Sequence, residues 1–199
     1  MSLRPMICGF DLGKVRSLFG SADPAVIAAI ESEFERRADQ APSQYDDAFR
    51  SSFRTALRTA VNHGVPFPDL EVEREPHVEL ATLMAAHGQQ LLGTDSDCWN
   101  FSGFSEACDG GITVFSDTED DLLGLLFYGR PLFGKQFDTS WGFYGYMSHE
   151  EVQRLRASLR SVDDEDEPLS DLAQDLAVDM SRWCDELLAA NKDLWCCWG

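Results

Sequence analysis

The sequence predicts an α+β (mixed α/β) domain, helix-rich with a small mixed sheet of short N-terminal, central and C-terminal strands. Strand-like segments stand at both ends and in the middle of the chain. Between them run amphipathic segments with apolar residues every three to four positions, and no internal repeat is visible. The 199 residues fit one globular domain over 1–199.

At the start, MICGFDL (Met6 to Leu12) alternates enough apolar residues to open a strand. In GSADPAVIAAIESEFERRA, Asp23 suits a helix N-cap and Pro24 the first helical position. Val26, Ile30 and Phe34 share one face; Glu31, Glu35 and Arg36 take the wet side, and Pro42 stops the helix. Tyr45, Phe49, Phe53, Leu57 and Val61 recur every four residues up to Gly64, a C′ residue. An aromatic stripe of this kind reads as core, not as a cofactor box. VPFPDLEVEREP reads as an extended loop, because Pro66 and Pro68 block helix. A further helix begins at Pro76, packing through Val78, Leu83, Met84 and Leu91, with His87 as a core or boundary histidine.

The stretch GTDSDCWNFSGFSEACDGG reads as a surface loop anchored by Trp99, Phe101 and Phe104, and GITVFS as a short strand. DTEDDLLGLLFYG has a cap at Asp117, acids in its first turn and Gly129 to close it, the signature of another helix. Ser148 and Glu151 have capping-box spacing and start a helix from Glu150 carrying Val152, Leu155 and Leu159. Ser161 to Pro168 (SVDDEDEP) is an acidic internal linker. Ser170 caps a last helix on Leu172, Leu176, Met180, Trp183 and Leu187, and DLWCCW ends as a strand buried on both faces.

Thirty-five acidic against 16 basic residues leave a net charge of −19. That argues against nucleic acid, whose phosphates require clustered Lys and Arg. It fits a solvated acidic surface first, and otherwise a basic protein as partner or a saline cytoplasm. Six cysteines without a Cys-x-x-Cys pair read as buried thiols of a reduced, cytoplasmic protein, and the absence of a long apolar run speaks against a membrane partner. The four histidines lack metal-ligand spacing, so no metal and no cofactor are expected.

Two motifs come close to chemistry. GRPLFGK has phosphate-loop spacing, but Gln136 replaces the magnesium-binding hydroxyl, Pro131 removes an amide donor, and no strand precedes it. GFSEA (Gly103 to Ala107) falls one residue short of a nucleophile elbow, and its polar flank makes Ser105 a loop serine. The chain leans away from catalysis. The alternative is a small-ligand binder or enzyme with a polar-aromatic cleft from Arg130 to His149, in which Arg130, Asp138, Trp141, Tyr144 and His149 supply donors, a carboxylate and flat rings. Homo-oligomerisation is compatible with either reading.

The order YGRPLFG, a spacer, YGYMSHEEVQRLRASL, an acidic linker, a Trp-containing helix and a terminal apolar strand resembles the YfbM-like family, small bacterial proteins without assigned function. The likeness is clearest over Leu122 to Trp198, through Gly129, Tyr146, Ser148, Glu150, Glu151 and Val152. It implies a bacterial α/β-type domain and carries no catalytic residue.

Overall fold

A computed structural model describes residues 4–64, 74–96, 99–109, 122, 124–127, 130, 144–160 and 170–198. These fall into two compact units, one formed by Asp11–Gln90 and the other by the remaining described residues.

The second unit is organised by β4 (Asp193–Trp198), which pairs antiparallel with β1 (Pro5–Phe10) on one side and β3 (Tyr144–Met147) on the other. A two-residue strand, β2 (Leu92–Gly93), flanks β1 and gives the order β2-β1-β4-β3. The predicted α+β class holds, with one correction. Every described pairing is antiparallel, so the described strands form an antiparallel sheet and not the expected mixed one. Strands whose connections run through several helices return here in opposite sense, a choice that hydrophobic patterning does not encode.

Strand alternation puts Ile7, Leu194, Cys196, Trp198 and Met147 on one face, where they join the core formed by α5 (Phe101–Asp109), α7 (His149–Arg160) and α8 (Asp171–Ala189). Trp198 is fixed there twice. Its indole N–H donates to the Leu126 carbonyl at 2.7 Å, in the single helical turn α6 (Gly124–Phe127), and its ring meets Phe104 edge-on at 5.3 Å. Beside it α8 lies so close to β1 that a Cβ on Gly9 would come within 2.6 Å of Leu187 Cδ2. The opposite face carries Cys8, Phe10, Trp195, Tyr144 and Tyr146, which are buried as well. The doubly buried C-terminal strand is therefore as the sequence predicts.

Residues 93–111, expected as a surface loop, instead include helix α5. Asn100 Oδ1 accepts the Gly103 N–H at 2.9 Å, and Phe104 and Ala107 turn one face inward. Of the small residues that suggested a loop, Ser102 is exposed on α5 and Gly103 and Ser105 are half-buried there. Between β2 and α5 the chain is latched to β1: Thr94 Oγ1 donates to the Ile7 carbonyl at 2.6 Å, while Ser96 Oγ accepts the Ile7 N–H and donates to the Pro5 carbonyl, each at 3.1 Å.

The helical unit begins one element earlier than the sequence suggested. Asp11, read as part of a strand reaching Leu12, instead caps α1 (Leu12–Leu18) by accepting the Lys14 N–H at 2.9 Å. Helix α2 (Pro24–Gln40) has the predicted Asp23 cap and Pro24. α3 (Asp47–His63) is capped by Asp46 and ends at Gly64, whose φ of 62° confirms the C′ reading. Phe34 stacks on Phe53 with centroids 3.8 Å apart and meets Tyr45 edge-on at 5.6 Å, so the aromatic stripe is core. Glu31 and Glu35 are not merely wet. They pair with Arg54 of α3 at 3.0 and 2.5 Å, and Glu35 also pairs with Arg50. Helix α4 (Arg74–Ala86) begins two residues before Pro76 and buries Leu80, Leu83, Met84 and His77, while Leu91 lies beyond its end.

The extended loop expected over 65–76 is corrected at its end, where residues 74–76 belong to α4. Its residues 65–73, the strand GITVFS, the cap at Asp117, Gly129 and the acidic linker of Ser161 to Pro168 lie outside the described residues.

Candidate functional site

The junction of β3, α7 and β4 holds the three described members of the predicted cleft. Asp138 and Trp141, together with the GRPLFGK segment beyond Arg130, lie outside the described residues.

Capping-box residues set this junction. The Ser148 N–H donates to Glu151 Oε2 at 2.7 Å, and the Glu151 N–H donates to Ser148 Oγ at 3.3 Å, the reciprocal pair that the Ser-x-x-Glu spacing predicts. Glu151 then does more than cap. Arg130 Nη1 lies 2.8 Å from both its carboxylate oxygens, and the same guanidinium sits 4.6 Å from the centroid of the Tyr146 ring. The Arg130 main-chain N–H donates to the Tyr144 carbonyl at 3.1 Å, so backbone and side chain tie this residue to β3 and α7 together. Burial alone would raise the Glu151 pKa, but the Ser148 N–H and the Arg130 guanidinium outweigh it and hold the carboxyl below its ordinary value.

Tyr144 is held by packing. Its ring stacks on Trp195 with centroids 5.2 Å apart and planes at 25°. His149 is held through three hydrogen bonds. Its N–H donates to Asp193 Oδ1 at 2.8 Å, its Nδ1 lies 3.3 Å from the Lys192 carbonyl, and its Nε2 lies 3.1 Å from the Gln153 amide nitrogen. A carbonyl can only accept, so Nδ1 donates to the Lys192 carbonyl in this contact. Arg130, Tyr144 and His149 thus share one junction but each has its own partners there. Ser105, the near-elbow serine, is half-buried within α5 and not on a strand-to-helix turn.

On the sheet face shared by Tyr144 and Tyr146, Trp195 is fully buried and its indole N–H has no hydrogen-bond partner among the described residues. Buried indoles ordinarily find an acceptor. Three buried thiols stand nearby or in the core. Burial, reinforced by Cys197, pushes Cys8 up to about 12; burial does the same to Cys184; Cys196 is raised as well. Thiols held this far from ionisation are inert as nucleophiles. Among the described residues no group of three or more His, Cys, Asp or Glu is placed to hold a metal ion, and no helix is long and apolar enough to cross a membrane.

Sequence reasoning missed a second polar cluster, where the segment after β2 meets α8. Asp179 Oδ2 accepts the Trp99 indole N–H at 2.8 Å and Asp179 Oδ1 accepts from Arg182 at 2.6 Å. Asp95 accepts the Trp183 indole N–H at 3.0 Å and also pairs with Arg182. The only sequence signal was the pairing of tryptophans with aspartates far apart in the chain, which spacing cannot connect.

Fold and junction define a helix-rich α+β protein whose described polar centre is an arginine–glutamate clamp at a helix start. The chain matches the model of a domain of unknown function, DUF7691, over residues 1–199, and it belongs to that family. No curated protein and no solved structure matches it.

Proposed function

We propose that the protein is a non-catalytic binding or accessory module that engages a basic protein partner, in the manner of an immunity protein or antitoxin. The observation that carries this reading is the net charge of −19 combined with how the basic side chains are spent. Arg36, Arg37, Arg50, Arg54, Arg58, Arg130, Arg154, Arg156 and Arg182 each lie within ion-pairing distance of a carboxylate of the chain itself. The acidic excess is therefore left to solvent or to a partner. Complementary charge of this kind speeds encounter and suppresses wrong partners. A bacterial, cytoplasmic setting and kinship with the YfbM-like family belong to the same proposal. The reciprocal Ser148–Glu151 cap and the inert thiols support them.

The test is retention from a native-host lysate on the immobilised protein at low salt, followed by mass spectrometry. The expected result is one stoichiometric basic protein that about 0.5 M salt releases, since such salt shortens the screening length to a few ångströms. Recovery of no stoichiometric partner at low salt overturns the reading.

One observation favours a second reading, a small-ligand site around Arg130, Asp138, Trp141, Tyr144 and His149. It is the orphaned indole N–H of Trp195, stacked on Tyr144. A ligand carbonyl or carboxylate would satisfy that donor. A thermal-shift screen of small oxyanions and amides, run on the wild type and on Trp195→Phe, distinguishes the cases. A ligand that stabilises only the wild type supports the site, and a screen without any such compound removes it.

A further inference from the structure

Helices α5 and α8 enclose an open groove of about 430 Å³, lined by Trp99, Gly103, Leu172, Asp175, Val178 and Asp179 among others. Its components differ in how far they are already satisfied. Trp99 is buried and its N–H is committed to Asp179, whose second oxygen holds Arg182. Asp179 is thereby used up in fixing the floor. Asp175, one helical turn earlier, is exposed and forms no ion pair among the described residues. Val178, between them in sequence, is 67% exposed, well beyond Met6 at 42%, the other exposed large hydrophobic among the described residues.

An apolar side chain left in water beside an unpaired carboxylate, over an indole floor, is complementary to one kind of group: a long alkyl stem ending in a cation. We infer that this groove docks an arginine-bearing segment of a basic partner protein, with the guanidinium on Asp175 and its stem across Val178 and Leu172. Arginine fits better than lysine. Its planar, weakly hydrated head can meet a carboxylate in two hydrogen bonds while lying against an apolar wall. Nucleic acid is repelled by the same charge that attracts this partner. The inference rests on the binding-module reading above and adds to it the surface and the anchoring side chain.

The probe is a synthetic peptide with one arginine flanked by leucines, titrated into the full-length isotope-labelled protein, with a glutamate-for-arginine peptide as control. The expected result is saturable shifts of the Trp99 indole and of the Gly103, Asp175 and Val178 amides, absent with the control. Asp175→Asn weakens binding roughly tenfold, the order expected for one partly desolvated ion pair. Val178→Arg abolishes binding and leaves the thermal midpoint unchanged, because both side chains are exposed. Shifts spread across the acidic surface and insensitive to Asp175→Asn overturn the groove. So does concentration-dependent self-association in place of peptide binding. If a basic protein is retained equally by the wild type and both variants, the groove inference fails while the binding-module reading stands. If neither wild type nor variants retain any, the broader reading fails.

Discussion

Glu151 accepts from the Ser148 N–H and from Arg130 at once, so one carboxylate serves a helix start and a tertiary clamp. Glu151→Ala removes both functions and is expected to cost about 1–2 kcal/mol in urea unfolding, whereas Glu151→Gln keeps the cap and costs roughly half as much. Equal losses in the two variants contradict the dual role. Gly64 has φ 62°, and a Cβ there would stand 3.1 Å from the Gly20 Cα; Gly88 has φ 66° but nothing within 4 Å. Gly64→Ala should therefore lose about 2–4 kcal/mol, combining conformational strain with a backbone clash, and Gly88→Ala only about 1 kcal/mol. Burial lowers the His77 pKa from 6.5 to about 4. The neutral ring is thus favoured in the fold and the unfolded chain binds the extra proton. Its contribution is complete above pH 6.5 and falls by up to about 3 kcal/mol as pH drops toward 4. Chemical denaturation of the wild type and His77→Gln across this window checks it; the variant should show the shallower dependence. Of these features the Ser148–Glu151 cap and the helix end at Gly64 were legible, because each is a local pattern. The Arg130 partner and the Gly20–Gly64 approach depend on segments that spacing cannot bring together.

Among the elements, the most consequential misreading was that of the segment from Gly93 to Gly111. Its Gly, Ser and Asp residues carry turn propensity, yet tertiary burial of Trp99, Phe104 and Ala107 makes part of it a helix. By contrast, the helices beginning at Pro24, Asp47 and Asp171 could be read directly, since each repeats buried residues at helical spacing behind a side-chain cap. The segment after β2 also bears the latch on β1. Ser96 is 1% exposed and bridges two backbone groups of that strand. Ser96→Ala leaves the buried Ile7 N–H unsatisfied, so a loss of about 1–3 kcal/mol is expected, with faster hydrogen exchange at Ile7 than at Leu187. Unchanged exchange at Ile7 shows that the latch is dispensable.

For the molecule as a whole, charge was the property most legible from composition, and its disposition was not. Arginines that could have balanced the surface are engaged between α2 and α3 and around α7 and α8. The remaining carboxylates repel one another, and exposed pairs contribute little each. Raising sodium chloride from about 10 to 500 mM should therefore lift the thermal midpoint by a few degrees, as screening relieves the repulsion. A midpoint that falls with salt assigns greater weight to the internal ion pairs. The candidate cleft was legible only as a composition of donors and rings. What Tyr144 and His149 touch is decided largely by β4, which supplies Trp195 to the one and Asp193 to the other from the far end of the sequence.

That same strand sets a schedule. Cys8 sits opposite Trp195, so β1 leaves the ribosome long before its neighbour exists. At ordinary translation speeds of about 5–20 residues per second, the wait lasts on the order of 10–40 s. Through that interval Ile7, Cys8 and Phe10 are a bare apolar ribbon with unpaired amides on one side, the form of chain that chaperones bind and that aggregates most readily. Ribosome-arrested chains stopped before Asp193 should thus remain protease-sensitive in this unit, and release of the last strand should confer resistance in a single step.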